Sequence, residues 1–344
     1  MHFCILGCGK IARTHAAILR KLAGFIPNQS TRISFASRER AKADAFRSEF
    51  GGELAFAPYE QAFSHESIDV IVLCTPNHTH RELAIAALEN EKHVVIEKPI
   101  ACTTAEADEI IATAKRIGRR VLVAENHRYR PHVMAIERIV RSGELGVIKL
   151  IRMNVLRPHQ FAENEWRADR DCMGGGILID AGIHWANVLL TLGQGFPLSI
   201  TAYRPPATNR PTSQEDSIVV TCQFENGAVG VLTYSWGVRG ALPLGFFSVH
   251  ASAGSVYSFN AGRFGVLNRG FIRPLLFPFR DWQGYEAMWR DFLRGFANGT
   301  FEQCLMTGEI GRRDLAFVEA AYQTAKRELI PGSGLRLEHL RPSA

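Results

Sequence analysis

The stretch "LGCGKIA" near the N-terminus constrains the fold of this 344-residue chain more than any other feature. It sets Gly7, Gly9 and Ala12 in G-x-G-x-x-A spacing between a short apolar run and a segment with helical periodicity. The first glycine permits a tight turn, the second lets the backbone approach a pyrophosphate, and the small third residue lets helix and strand pack. The motif predicts a dinucleotide-binding strand, turn and helix; the alternative is an ordinary tight turn.

The same order of strand and helix repeats through the first third of the chain. Continuous apolar runs, such as "VIVLC" at 70–74, alternate with amphipathic segments. Strands that are apolar on both faces are typical of a parallel sheet covered by helices. After about residue 125 the runs alternate apolar and polar, and Glu225-Asn226-Gly227 is a hairpin signal. We predict an α/β chain: a Rossmann doubly wound parallel sheet over residues 1–124, then an α+β domain over 125–344 with a large, mostly antiparallel open-faced sheet.

Charge and cysteine usage narrow the classes of partner. The formal net charge is +6, which suits an anionic ligand, but Lys and Arg are scattered and no nucleic-acid motif is present. The seven cysteines have no metal-ligand spacing, which favours a reducing compartment. No basic region precedes a long apolar segment, and no run has membrane-spanning length. We expect a cytoplasmic protein that binds neither nucleic acid nor membrane.

The end of the second strand bears on cofactor choice. NAD-binding sites usually place an acid there for the ribose 2′-hydroxyl. This chain has Ser37 and Arg38 instead, with no carboxylate until Glu39. A hydroxyl and a guanidinium suit a 2′-phosphate, so we expect NADP(H) to be preferred and NAD(H) to be possible. The alternative is that Arg38 stacks on adenine or points into solvent.

Polar residues also follow two later strands. In "CTPNHTH", Thr75, Pro76 and Asn77 come after a buried strand and are expected to line the nicotinamide side, because strand C-termini border the ligand crevice. His78 and His80 have no nearby acid or Cys partner, so we predict no metal site there. In "HVVIEKPIA", the run Val-Val-Ile leads directly into Glu97, Lys98 and a proline.

The segment "CMGGGILIDAGIHWANVLLTLG" joins three glycines to a helical pattern. Asp180, His184 and Asn187 are spaced i, i+4 and i+7, which places all three on one helix face. Beside apolar neighbours, such a polar stripe indicates a face that borders a cleft; an exposed, ion-paired face is the alternative.

Together, "GCGKIA", "TPNHTH", "EKP" and "GGGILIDAGIHWAN" resemble, in order along the whole chain, the glucose-fructose oxidoreductase/inositol dehydrogenase/MocA (Gfo/Idh/MocA) family. The resemblance implies a Rossmann domain followed by an α/β domain whose open sheet mediates oligomerisation, and oxidation or reduction of sugars and cyclitols with NAD(H) or NADP(H). It also implies that Lys98 is the active-site lysine, that Asp180 and His184 are a catalytic pair, and that Glu97 lies near the nicotinamide ribose. One departure is Asn187, where many members have Asp.

These roles agree with the chemistry of the side chains. A histidine exchanges protons near neutral pH, and a lysine stabilises a nascent alkoxide. We therefore expect an NAD(P)-dependent dehydrogenase or reductase acting on a sugar, cyclitol or sugar derivative, as a homodimer or homotetramer. The alternatives are a cofactor-assisted glycoside hydrolase and a non-catalytic dinucleotide sensor.

The expected site residues fall into two overlapping sets. The cofactor set is Gly7, Gly9, Lys10, Ile11, Ala12, Ser37, Arg38, Thr75, Pro76, Asn77, His80, Glu97, Lys98 and Asn126. The substrate set is Lys98, Arg130, Trp166, Arg167, Asp180, His184 and Asn187.

Overall fold

Two β-sheets organise the part of the chain that the computed structural model describes. That part comprises residues 1–159, 165–195, 197–207, 215–238, 247–259, 262–278 and 280–326. One sheet has six strands and the other has eight, and both predicted sheet types are confirmed.

The first sheet is parallel and doubly wound. Its strands are β1 (His2–Leu6), β2 (Arg32–Ala36), β3 (Ala55–Phe56), β4 (Val70–Leu73), β5 (His93–Glu97) and β6 (Val121–Ala124). Their spatial order is β3-β2-β1-β4-β5-β6, so the winding direction reverses between β1 and β4. Every residue of β1 and β4 is buried, as the continuous apolar runs predict. The carboxyl ends of the two strands define the crevice at which such sheets bind ligands.

The helices of this half begin and end at residues that the sequence marks. They are α1 (Lys10–Lys21), α2 (Arg40–Phe50), α3 (Glu60–Phe63), α4 (His80–Glu89) and α5 (Thr104–Ile117). The Thr103 side chain accepts the backbone N–H of Glu106 and caps α5. Gly51 ends α2 in the left-handed conformation that favours glycine.

The second sheet is antiparallel except at one pair. Its strands are β7 (Ile148–Leu156), β8 (Pro197–Tyr203), β9 (Ser217–Phe224), β10 (Val229–Ser235), β11 (Phe247–Ala251), β12 (Gly254–Phe259), β13 (Phe264–Asn268) and β14 (Ile272–Leu276). Their order is β14-β13-β12-β11-β7-β10-β9-β8, with β7 and β10 parallel. The predicted hairpin joins β9 to β10, and Gly227 has a φ of 80° in its turn.

The remaining helices connect the two halves. They are α6 (Pro131–Arg141), α7 (Arg170–Met173), α8 (Ile183–Leu192), α9 (Tyr285–Asn298) and α10 (Gly308–Lys326), with a π-helical turn at Leu178–Gly182 before α8. The sequence analysis did not predict α9 and α10, which pack against α1 and against α5 and β6, respectively. Because these C-terminal helices return to the first sheet, the division between residues 124 and 125 stays an interpretation of the sequence pattern.

One helical segment of the described chain, Asp171–Leu192, is long and apolar enough to span a membrane by length and composition. However, 83% of its most apolar window is buried inside the protein. This burial is the behaviour of a core helix, and the segment carries Asp180 and His184 to the crevice.

Candidate active site

The glycine turn after β1 has the shape that a pyrophosphate requires. Gly7 has a φ of 90°, and a Cβ there would lie 2.7 Å from the carbonyl oxygen of Cys74. A Cβ on Gly9 would meet no atom within 4 Å, which leaves open space before the N-terminus of α1, where Lys10 and Ile11 begin the helix. Ala12 is fully buried. These residues fit a dinucleotide, because its phosphates can approach the free N–H groups of the first helical turn.

The end of β2 carries the two residues expected to select the cofactor. Ser37 is buried, and its hydroxyl accepts the backbone N–H of Glu39 at 3.2 Å. Arg38 is exposed. The Glu39 carboxylate forms an ion pair with Lys42 at 2.6 Å.

The segment after β4 forms one wall of the crevice. Thr75 is buried and Pro76 is partly buried. The Asn77 amide donates to the carbonyl oxygen of Met173 at 2.9 Å, which ties this wall to the second half of the chain. The Asn126 amide makes a similar link to the carbonyl oxygen of Gln283 at 2.7 Å.

His80 does not line the crevice, contrary to its place among the expected cofactor contacts. Its side chain is completely buried. The two ring nitrogens lie 2.9 Å from the carbonyl oxygen of Pro99 and 3.0 Å from that of Thr75. His80 therefore holds the segments after β4 and β5 together, and the prediction of direct cofactor contact is wrong for this residue.

Glu97, the last residue of β5, is buried at the floor of the crevice. One carboxylate oxygen lies 2.7 Å from Nε2 of His15, and the other accepts the backbone N–H of Lys98. The indole of Trp289 on α9 in turn donates to Nδ1 of His15 at 2.9 Å. Burial acts to raise the pKa of Glu97, but the His15 hydrogen bond and the charge of Lys98 lower it below its ordinary value. A contact of Glu97 with a cofactor ribose stays a prediction.

Lys98 and Arg167 converge on Asp180. The Lys98 ammonium donates to the main-chain oxygen of Asp180 and lies 3.7 Å from its Oδ1. Nε of Arg167 lies 3.4 Å from the same Oδ1, and its guanidinium stacks 4.5 Å from the ring centroid of Trp166. Burial favours the neutral acid, but Lys98, Arg167 and His184 lower the pKa of Asp180 below its usual range. The carboxylate is therefore held as an anion between two cations.

His184 is oriented by a carboxylate from the first half of the chain. Its Nδ1 lies 2.6 and 2.7 Å from the two oxygens of Glu125, the residue after β6. Because a carboxylate only accepts hydrogen bonds, Nδ1 carries the proton and Nε2 is left to exchange one. The His127 ring packs against His184 at a centroid distance of 3.9 Å. Burial and the nearby Arg130 keep the pKa of His127 well below its ordinary value, so this neighbour stays neutral.

Glu125, His127 and His184 also offer ligand atoms within 4.8 Å of one another, a spacing that a metal ion can bridge. The Glu125–His184 hydrogen bond already uses one candidate atom from each of two members. We therefore interpret this group as an oriented acid–base pair.

The three glycines before the π-helical turn let other chain segments approach closely. A Cβ on Gly174 would lie 2.9 Å from the Cys102 side chain, and one on Gly175 would lie 2.9 Å from the Tyr322 ring. A Cβ on Gly176 would lie 2.0 Å from Oε2 of Glu215. Glu215 in turn accepts the backbone N–H of Leu178 at 3.3 Å and the hydroxyl of Tyr322 at 2.6 Å. These contacts fix the start of the helix that carries Asp180 and His184.

Asn187 does not border the cleft with Asp180 and His184, so its predicted position is wrong. It is completely buried, and its amide donates to Oδ2 of Asp314 on α10 at 2.7 Å. The π-helical turn at Leu178–Gly182 shifts the phase of Asp180 relative to Asn187, and the buried bond to Asp314 turns the Asn187 side chain towards α10.

Glu125 is the main residue that the sequence analysis missed. It ends the apolar run "VLVAE" in the same way that Glu97 ends "HVVIE". An acid directly after a buried parallel strand lies at the crevice edge, so the signal applied to Glu97 would also have identified Glu125.

Comparison with known proteins identifies the family of this chain. Residues 1–125 match the family described as "Oxidoreductase family, NAD-binding Rossmann fold", and residues 133–257 match the Gfo/Idh/MocA C-terminal domain. The chain belongs to the Gfo/Idh/MocA family. The resemblance read from its motifs is thus confirmed.

Individual members of this family differ in how much of the chain they match. An inositol 2-dehydrogenase of Rhizobium meliloti is 24% identical and covers 96% of this chain and 98% of its own. An uncharacterised oxidoreductase of Bacillus subtilis, YrbE, is 27% identical over 67% of this chain, which spans 66% of that relative's length. A solved structure of levoglucosan dehydrogenase in complex with NADH and levoglucosan has a TM-score of 0.84 and 22% sequence identity. The match covers 94% of this chain and 97% of that chain, and it supports the fold.

Proposed function

We propose that this protein transfers a hydride between a nicotinamide cofactor and a secondary alcohol or ketone of a sugar, cyclitol or sugar derivative. The observation that carries the proposal is the convergence of Lys98, Asp180 and a carboxylate-oriented His184 at the crevice beside an intact dinucleotide turn. Relatives whose names state such activities support the substrate class, among them a levoglucosan dehydrogenase of Pseudarthrobacter phenanthrenivorans and the inositol 2-dehydrogenase.

The protein supplies the groups that move and balance the proton. A bound nicotinamide accepts or donates the hydride. Nε2 of His184 takes the hydroxyl proton in oxidation or returns it in reduction, while Glu125 holds Nδ1 and stabilises the ring as it gains charge. The Lys98 ammonium stabilises negative charge that develops on the substrate oxygen. Asp180 keeps the ammonium in place and, with Arg167, orients substrate hydroxyls.

We keep NADP(H) as the preferred cofactor and NAD(H) as a possible one. Support comes from the exposed Arg38 and from Glu39, whose carboxylate is paired with Lys42. If Arg38 binds a 2′-phosphate, Arg38→Met should weaken NADPH binding about tenfold or more and change NADH binding little. Fluorescence titrations of both reduced cofactors test this, and tighter binding of NADH than NADPH to the wild type would overturn the preference.

A spectrophotometric screen of sugars, cyclitols, sugar phosphates and nucleotide sugars with both cofactors tests the activity. Net accumulation or consumption of reduced cofactor supports a dehydrogenase or reductase. Release of a glycoside's substituent without net cofactor change would favour the hydrolase alternative, and cofactor binding without either reaction would favour a sensor.

We also propose that the second sheet pairs copies of this chain into a homodimer or homotetramer in a reducing cytoplasm. Large apolar side chains are exposed on or beside its edge strands, including Leu198, Phe271, Ile272 and Leu276. Light scattering of the purified protein measures the assembly, and a monomer at micromolar concentration would contradict it.

A further inference from the structure

Arg130 is the candidate-site cation that lacks an acidic partner in the described ranges. It follows the turn after β6 that carries Glu125 and His127. Its guanidinium lies 5.9 Å from the ring centroids of both Trp185 and Trp282. Its Nε is buried and has no hydrogen-bond partner among those ranges, and no ion pair joins it to a carboxylate there.

The acids of the candidate site are already committed to other groups. Glu125 bonds His184, Asp180 is shared by Lys98 and Arg167, and Glu97 bonds His15. Burial lowers the pKa of Arg130 to about 10, which records the cost of holding this cation away from water. A cation held away from water without a paired carboxylate is costly, so the site favours a negatively charged ligand.

Arg128, two residues earlier, shows how a structural arginine is satisfied in the same turn. It is more deeply buried than the half-buried Arg130, and its guanidinium donates to Glu137 at 2.6 Å. A further cation, Arg157 at the end of β7, is exposed and adds positive charge on the side of Arg130. Arg130 is thus placed beside the proposed acid–base pair through His127, which packs against both His184 and Trp185.

Building on the proposed function, we propose that the substrate is an anionic sugar derivative whose carboxylate or phosphate is bound by Arg130. A guanidinium donates two parallel hydrogen bonds to either group, and the two tryptophan rings flank it with apolar walls. The negative group then balances a cation that no carboxylate of the described ranges pairs with.

Binding measurements test this without relying on turnover. Calorimetric titrations with NADH and with NADPH bound would compare methyl glycosides of glucose, galactose and mannose with their C6 carboxylates and their 6-phosphates. At least one carboxylate or phosphate should bind the wild-type protein tenfold or more tightly than the neutral methyl glycoside of the same sugar. Comparing the carboxylates with the phosphates shows which anionic group Arg130 binds. Arg130→Met should remove that preference and leave neutral glycosides within about twofold, while Arg130→Lys should keep part of it.

The control is Arg116→Met, because Arg116 is an exposed arginine that pairs with Glu89 on the helical surface. It should leave every affinity unchanged. The proposal is overturned if no anionic member binds more tightly than its neutral counterpart, or if Arg130→Lys and Arg130→Met weaken neutral and anionic members equally. If anionic glycosides bind selectively but no glycoside in the set gives or takes a hydride, the proposed function alone is refuted. If neutral sugars are turned over and anionic ones bind no more tightly, this inference alone is refuted.

Discussion

At the scale of single residues, the contact that matters most joins Glu125 to His184 across 59 positions of sequence. Each side chain alone is ambiguous, because an acid after a strand and a histidine on a helix occur in many folds. Together they fix which ring nitrogen carries the proton, and this turns a histidine near a cleft into an oriented acid–base group.

Glu125→Gln should lower kcat at least about tenfold, because an amide can also donate to Nδ1 and no longer enforces one tautomer. The full loss of a general acid–base group would be about a hundredfold or more. KM should change little, since Glu125 faces His184 and not the open cleft. Steady-state kinetics of the variant check this. Glu109→Gln, at an exposed acid paired with Arg81, is the control, and an unchanged kcat in Glu125→Gln would refute the orienting role.

At the scale of elements, the helix that carries Asp180 and His184 is fixed at its start by close packing. Three glycines admit Cys102, Tyr322 and Glu215 to positions that any Cβ would occupy. The sequence could predict a close approach from the glycine run, but it could not predict which partners approach, because Glu215 and Tyr322 lie far along the chain.

Gly176→Ala should displace the Glu215 carboxylate and weaken its bonds to Leu178 and Tyr322. We expect a loss of about 1–3 kcal/mol in the free energy of unfolding, typical of overpacking, together with reduced kcat. Denaturant titration and kinetics measure both. Gly24→Ala is the matched control, since a Cβ there meets no atom within 4 Å, and equal effects of the two variants would contradict the packing argument.

The other side of the same helix meets α10 through Asn187 and Asp314. Burial raises the pKa of Asp314 to about 6, from an ordinary value of 3.8. At a pH between 3.8 and about 6, the Asp314 carboxyl is deprotonated in the unfolded chain but still protonated in the folded protein. The contribution of Asp314 to stability is therefore lost as the pH rises from about 4 to about 6.

Asp314→Asn should remove that dependence. The shift of about 2 pKa units corresponds to about 3 kcal/mol, so the variant should gain up to that amount relative to wild type between pH 4 and pH 7. Urea titrations across this range give the difference, with Asp44→Asn, at a half-exposed surface acid, as control. Parallel pH profiles for wild type and Asp314→Asn would show that Asp314 does not titrate there.

At the scale of the whole molecule, the parallel sheet, the antiparallel sheet and the crevice could be predicted because their signals are local. Continuous apolar strands, the glycine turn and the EKP segment each span a few residues. The packing partners of α9 and α10 could not be predicted because the surfaces they cover lie far away in sequence: Trp289 bonds His15 across 274 positions. Asn187 was misplaced because its buried partner, Asp314, lies 127 positions away on α10 and leaves no local mark in the sequence.

The most direct test of the account is the rate of hydride transfer in Lys98→Ala and His184→Ala, followed by cofactor absorbance with the substrate that the screen identifies. Each variant should lose at least about a hundredfold in kcat, because each removes a group that acts on the reacting oxygen or its proton, and His184→Ala should still bind the reduced cofactor like wild type. Turnover close to wild type in either variant would contradict the assignment of the catalytic site.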